Sequence, residues 1–90
     1  MEYTEAVTIV RSKVEELAAK PNLAEDSQLL GDGSVMDSMK LVELCLALED
    51  HASDVGFEFD WTSESAMSRA RSMFRTIGTL AAEYAEQSQK

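Results

Sequence analysis

We expect a helix from residue 38 to about residue 51, and this segment has more apolar residues than one buried helix face needs. On an α-helix, at about 100° per residue, one group of side chains falls on a single narrow face, which we assign to the core. This group is Leu41, Leu44, Cys45, Leu48 and Ala52. A second group, Met39, Val42 and Leu46, widens the apolar arc to roughly 200°. Either a fourth helix covers this second group, or it stays open as a carboxylate-rimmed patch on which a partner docks.

Three further segments carry the period of amphipathic helices. The first is expected over residues 3–19 and should end at Pro21, because the residue before a proline is disfavoured in the α region. Its apolar stripe is Tyr3, Val7, Val10, Val14 and Leu17. A short helix is expected over residues 65–73. The last is expected over residues 76–88, opened by Thr76, whose hydroxyl is a good N-cap acceptor.

The connections between these helices are irregular but contain apolar residues. Residues 20–36 predict a long loop, rich in Asn, Asp, Ser and Gly, whose leucines enter the core. These are Leu23, Leu29 and Leu30. Residues 53–56 predict a helix end and a turn.

Aromatic residues alternate with acids directly after that turn. Phe57, Phe59 and Trp61 predict an extended connection whose rings cover one end of the core. Taken together, the 90 residues predict a single all-α domain. Its fold class is a small four-helix bundle with three main helices and a short third one.

The charge of the chain is strongly negative and unevenly distributed. The net charge is −9 at pH 7, and residues 21–64 contain eleven acids against Lys40 alone. Nucleic acids and anionic membrane surfaces attract clustered Lys and Arg, so this charge argues against both as partners. The acids either form a solvated surface only or steer basic partners towards the middle of the chain.

The sequence contains no apolar stretch long enough to span a membrane and does not start like a signal peptide. The single cysteine, Cys45, can form no internal disulfide, which agrees with a reducing compartment. We therefore expect a cytoplasmic monomer without membrane insertion, in which Cys45 is a buried core thiol rather than a reactive one.

The chain has no residues spaced like a catalytic or metal site. Spacing places no nucleophile or carboxylate pair beside the one histidine, His51, so we expect no enzyme and interpret His51 as a helix C-terminal cation or a surface residue. Residues 31–33 (Gly-Asp-Gly) lack the spacing of a phosphate-binding loop and predict a turn. The acids of residues 26–37 do not match a calcium loop, because Gln28 stands where the second ligand belongs.

Asp37 and Ser38 combine two features at the expected start of the second helix. Asp37 has a short side-chain oxygen that can accept a hydrogen bond from the first-turn amides, so it is a good N-cap. Ser38 then occupies the first helical position, where the helix dipole and free backbone N–H groups favour a phosphate. The pair therefore suits a serine that carries an anionic ester, with a simple capping-region serine as the alternative.

The same stretch resembles the prosthetic-group attachment motif of the acyl carrier protein family. That motif is Asp-Ser-(Leu/Met), followed by Val-Glu-Leu and an apolar helix that ends in acids. The residues that carry the resemblance are Asp37-Ser38-Met39, Val42-Glu43-Leu44 and Leu46-Ala47-Leu48-Glu49-Asp50. It covers nearly the whole chain, since the order of the helices and the long first loop also agree.

The resemblance implies that Ser38 carries a covalent 4′-phosphopantetheine cofactor, with Asp37 supporting its attachment and Met39 beside it. The arm's thiol would hold an acyl group as a thioester, and the protein itself would catalyse nothing. Expected partners are a phosphopantetheinyl transferase (holo-synthase), an acyl or aminoacyl ligase, and acyltransferases or synthases with basic docking surfaces. The implied partner-binding residues are Val42, Glu43, Leu46, Glu49 and Asp50.

Several departures from the family's pattern argue against a housekeeping fatty-acid carrier. Val35 stands where Gly is usual, Lys40 replaces an acidic or neutral residue, Ala52 replaces a bulky aromatic, and residues 57–75 form a longer segment. The spacing from Gly33 to the Asp-Ser pair is similar to that of D-alanyl carrier proteins and of specialised carriers for lipid-modification, polysaccharide or secondary-metabolite pathways. An acyl carrier is thus the first hypothesis, an aminoacyl or peptidyl carrier the second, and a helical interaction module without a prosthetic group the third.

Overall fold

The computed structural model describes residues 1–29 and 37–89, and for residues 38, 65 and 69–71 it describes the backbone alone. This part of the chain forms four α-helices. They are α1 (Tyr3–Ala18), α2 (Ser38–Val55), α3 (Glu64–Met73) and α4 (Ile77–Ser88). The predictions for Leu30 and for the Gly-Asp-Gly turn lie outside the described residues.

Helix α1 buries the face that its apolar period predicts. Its buried residues are Ala6, Val7, Val10 and Val14. Tyr3, predicted on the same stripe, is instead 42% exposed, because it lies at the end of the helix and of the core. The helix ends where Ala19 adopts a left-handed conformation with φ of 55° and its amide bonds to the carbonyl oxygen of Glu15. Pro21 therefore follows the end of the helix, as expected.

Helix α2 is longer than predicted. The prediction that it ends near residue 51 was wrong, since the helix continues to Val55. The helix end does fall within residues 53–56, where the sequence predicts it. It ends because Gly56 adopts φ of 98°, a conformation that favours glycine, and because the Gly56 amide donates to the carbonyl oxygen of Ala52 at 2.9 Å. His51 consequently lies inside the helix, four residues before its last residue, and is partly buried.

Short polar side chains begin the last two helices. The Ser63 hydroxyl accepts a hydrogen bond from the Ala66 amide at 3.1 Å and so caps α3. Thr76 and Thr79 form a reciprocal capping box at the start of α4, which confirms the N-cap predicted for Thr76.

The connection between α1 and α2 is hydrogen-bonded to the start of α4. The Leu29 amide donates to the carbonyl oxygen of Arg75 at 3.0 Å, and the Gly78 amide donates to that of Glu25 at 2.7 Å. Leu29 is buried and Leu23 is partly buried against the core, as predicted. The described part of this loop, residues 20–29, therefore lies against the start of α4.

The core lies between α1, α2 and α4, and α1 packs against both of the other two. The shorter α3, of ten residues, packs against α4 and contributes Ala66 and Met73 to the buried set. Phe59 is buried, and Phe57 and Trp61 pack partly buried against the core, which confirms that the segment after α2 covers one end. The predicted fold class, a small all-α bundle with a short third helix, is confirmed.

The segment after α2 is fastened to the last helix through a buried amide. Gln87 accepts a hydrogen bond from the Asp60 amide at 2.6 Å and donates one to the Asp60 carbonyl oxygen at 2.9 Å. The Gln87 side chain is thus hydrogen-bonded to both the amide and the carbonyl group of Asp60. This pairing determines where the residues around Asp60 lie relative to α2 and α4.

Within the described ranges, no helix has both the length and the apolar character that crossing a membrane requires.

Candidate functional site

The Asp37–Ser38 pair lies at the start of α2, as the sequence predicts. The Asp37 side-chain oxygen Oδ1 accepts a hydrogen bond of 2.8 Å from the Lys40 amide, and its carbonyl oxygen accepts the Leu41 amide at 3.0 Å. Asp37 is exposed and is the N-cap. Ser38 is therefore the first residue of an 18-residue helix, although its side chain lies outside the described part.

The start of α2 offers backbone hydrogen-bond donors. The first amides of a helix have no acceptor within the helix, and the helix dipole places partial positive charge among them. The Asp37 side chain accepts its hydrogen bond from the amide of Lys40, so this capping bond does not involve the amides that come earlier in the first turn. A phosphate ester on the first residue of α2 fits this arrangement.

Helix α2 has one buried face and one exposed apolar face. Leu44, Cys45, Leu48 and Ala52 are buried as assigned, and Leu41 is partly buried. The sequence left open whether the second apolar group is covered. Met39, Val42 and Leu46 are 78%, 47% and 50% exposed, so this group stays open. We call these three residues the α2 stripe.

Acidic side chains lie beside the α2 stripe. Glu43, Glu49 and Asp50 are all exposed. Glu43 lies 3.7 Å from the ammonium of Lys40, an exposed ion pair that contributes little to stability. The Glu49 carboxylate accepts a hydrogen bond from the Trp61 indole N–H at 2.5 Å, which ties the end of the acidic rim to the segment after α2.

A cleft that the sequence does not predict opens at the C-terminal half of α2. Its volume is about 560 Å³, and we call it the acidic cleft. Its lining residues are Glu49, Ser53, Phe57, Glu58, Phe59, Asp60 and Thr62. Glu49 was predicted as a partner-binding residue, but Glu58 and Asp60 were not, because only the path of the chain after Gly56 brings them beside α2. The one signal in the sequence near Glu58 and Asp60 was Trp61, a large aromatic residue that directly follows Asp60.

Cys45 is buried in the core, as predicted. Burial raises the pKa of its thiol to about 12, with a smaller contribution from the negative charge of Glu49. The thiol is therefore neutral at physiological pH and unsuited to nucleophilic chemistry. Among the described residues, no three His, Cys, Asp or Glu side chains are grouped to hold a metal ion.

Comparison of the chain with models of known protein families, with curated proteins and with solved structures found no match.

Proposed function

We propose that this chain is an acyl carrier protein that holds acyl groups as thioesters on a 4′-phosphopantetheine arm attached to Ser38. The observation that carries the proposal is the start of α2, where the Asp37 cap leaves Ser38 as the first helical residue. The Asp-Ser-Met sequence at this point is the motif that resembles the family. Asp37 is exposed, as a residue that a modifying enzyme must approach has to be.

Attachment of the arm needs little from the carrier itself. The Ser38 oxygen would bond to the phosphorus of coenzyme A that bears the pantetheine, and the phosphorus–oxygen bond to adenosine 3′,5′-bisphosphate would break. The serine proton would pass to a base of a separate phosphopantetheinyl transferase, with Asp37 supporting the reaction. The first-turn amides and the helix dipole would then stabilise the resulting phosphodiester.

The bound arm would supply a thiol for thioester chemistry. A flexible arm on a rigid helix start raises the effective concentration of its cargo at each partner enzyme, which is the physical basis of a carrier. The bundle contributes the rigid start, since α2 is held by its buried face and by its cap. The carrier itself would catalyse no step.

The exposed side of α2 supports a role in binding partner enzymes. Val42 and Leu46 offer apolar surface, and Glu43, Glu49 and Asp50 surround it with negative charge. Such a face complements basic docking surfaces on a transferase, a ligase or an acyltransferase and speeds their encounter. We place these reactions in the cytoplasm, in a fatty-acid, lipid-modification, polysaccharide or secondary-metabolite pathway.

The test is to incubate the protein with coenzyme A and a broad-specificity phosphopantetheinyl transferase and to measure its intact mass. We expect a gain equal to one phosphopantetheine group, and no gain for Ser38→Ala. Ser53→Ala is the matched control, because Ser53 is an exposed serine on the same helix, and it should load normally. No gain for the unmodified sequence, or a gain that survives Ser38→Ala, would refute the proposal.

A further inference from the structure

Lys40 is the only basic residue between residues 21 and 64, a segment that also contains eleven acids. It is the third residue of α2 and comes two positions after Ser38. Two positions correspond to a rise of about 3 Å along a helix. The Lys40 side chain is 47% exposed. An enzyme that reaches the start of α2 to modify Ser38 therefore also meets the Lys40 ammonium group.

The position of Lys40 is unfavourable for the helix itself. The N-terminal end of a helix carries partial positive charge, so acidic side chains stabilise the first turn and basic ones oppose it. Lys40 pairs with Glu43 at 3.7 Å, but a base that precedes its acid is the less favourable order in a helix. Both side chains are about half exposed, and such a pair contributes little to stability. Helix stability therefore does not explain a lysine at this position.

The exposed charge of α2 changes sign along the helix. Lys40 and Glu43 compensate each other near its start. Glu49 and Asp50, which follow, are exposed, and α2 contains no further Lys or Arg after Lys40. A partner enzyme that covers this side of the helix thus meets a positive group beside Ser38 and negative groups further along.

We propose that Lys40 selects the enzymes that act at Ser38. It favours an enzyme that places a carboxylate opposite the first turn of α2, and it repels one that places a Lys or Arg side chain there. Like charges brought together at an interface oppose association, so one residue can exclude a partner that is otherwise complementary. The inference rests on the proposed attachment of the arm at Ser38.

A charge exchange between the two proteins tests the proposal. The probe is the broad-specificity phosphopantetheinyl transferase, with each Lys and Arg of its carrier-docking surface changed to Glu, one at a time. Each form is assayed with the parent protein and with Lys40→Glu. The initial rate of intact-mass gain at a low carrier concentration reports kcat/KM. At one transferase position, the change to Glu should speed loading of the parent about fivefold relative to loading of Lys40→Glu, the size of one exposed ion pair.

Lys20→Glu is the matched control, because it makes the same change in net charge at an exposed position outside the helices. It should show no such coupling with any transferase position. A change in the stability of α2 caused by Lys40→Glu affects loading by every form of the transferase equally, so it cancels in this comparison. The coupling should also shrink in about 0.5 M NaCl, since salt screens exposed charges.

Equal loading ratios at every transferase position would overturn the inference, and so would a coupling that Lys20→Glu shows to the same extent. In both cases Ser38 is still modified, so the proposed function stands. If no form of the transferase loads either the parent or Lys40→Glu, the proposed function itself is refuted, and this inference with it.

Discussion

The Tyr84 hydroxyl donates a hydrogen bond of 2.7 Å to the carbonyl oxygen of Leu48 and so joins α4 to α2 inside the core. Both residues are fully buried. Phe57 and Phe59 direct their rings against Tyr84 in edge-to-face geometry, with centroids at 5.2 and 4.9 Å. This contact holds one face of α2 inward and thereby leaves the α2 stripe, about 140° around the helix, facing outward.

Removing that hydrogen bond should destabilise the bundle without changing its shape. Tyr84→Phe keeps the ring packing and deletes only the hydroxyl, so we expect a loss of about 1 kcal/mol in the free energy of unfolding. Urea unfolding should show a lower midpoint with an unchanged m value. Tyr3→Phe is the control: it removes a hydroxyl that bonds to Glu25 at an exposed position, so it should change the midpoint less. Equal midpoints for Tyr84→Phe and the parent would contradict this role for the contact.

Stability should fall at alkaline pH because two buried groups resist deprotonation. Burial raises the pKa of Tyr84 from 10.0 to about 12, and burial with the nearby Glu49 charge raises that of Cys45 from 9.0 to about 12. The unfolded chain loses these protons first, so the stabilisation is complete below pH 9 and declines as the pH rises towards 12.

Cys45→Ala separates the two contributions. The variant should have a shallower decline of unfolding free energy between pH 9 and pH 10, where the thiol of the unfolded chain titrates first. Urea unfolding at a series of pH values measures the slope. A slope identical to that of the parent would mean that the Cys45 thiol does not resist ionisation in the folded state.

The end of α2 should depend on the backbone of Gly56. With φ of 98° and nothing within 4 Å of an added Cβ, Gly56→Ala meets backbone strain but no clash. We expect a loss of about 1 kcal/mol in unfolding free energy. Gly56→Asn is the matched comparison and should lose less, because Asn tolerates the left-handed region. If alanine and asparagine were equally harmful, the conformation would not be the cause.

The structural and chemical roles of Asp37 should be separable. Asp37→Ala removes the oxygen that accepts the Lys40 amide and should cost about 1 kcal/mol of unfolding free energy. Asp37→Asn keeps a capping oxygen and should be nearly as stable as the parent. If Asp37 supports attachment of the arm, Asp37→Asn should nevertheless load more slowly in a time course of intact mass. Normal loading of a stable Asp37→Asn protein would restrict Asp37 to capping.

Local signals in the sequence predict much of this fold. The apolar period of α1 and the N-caps Asp37 and Thr76 depend only on residues within one or two helical turns. Such features can be recognised in the sequence. The end of α2 shows the limit. Ser53 and Asp54 are common in turns, yet the helix continues through them, because it is Gly56 that adopts the left-handed conformation.

Other features depend on residues far apart in the chain. The hydrogen bond between Leu29 and Arg75 and the pairing of Gln87 with Asp60 have no local signature. The helical period places Met39 and its neighbours on one face of α2, but whether another element covers that face depends on how α2 packs. The formation of the acidic cleft depends on the same packing, so the sequence alone does not predict it.

Fragment mass spectrometry of protein treated with coenzyme A and a phosphopantetheinyl transferase tests the proposed attachment at Ser38. We expect one added phosphopantetheine group, located on Ser38 and on no other serine. A group located on a different residue, or a protein that stays unmodified under conditions that load a known carrier, would contradict it.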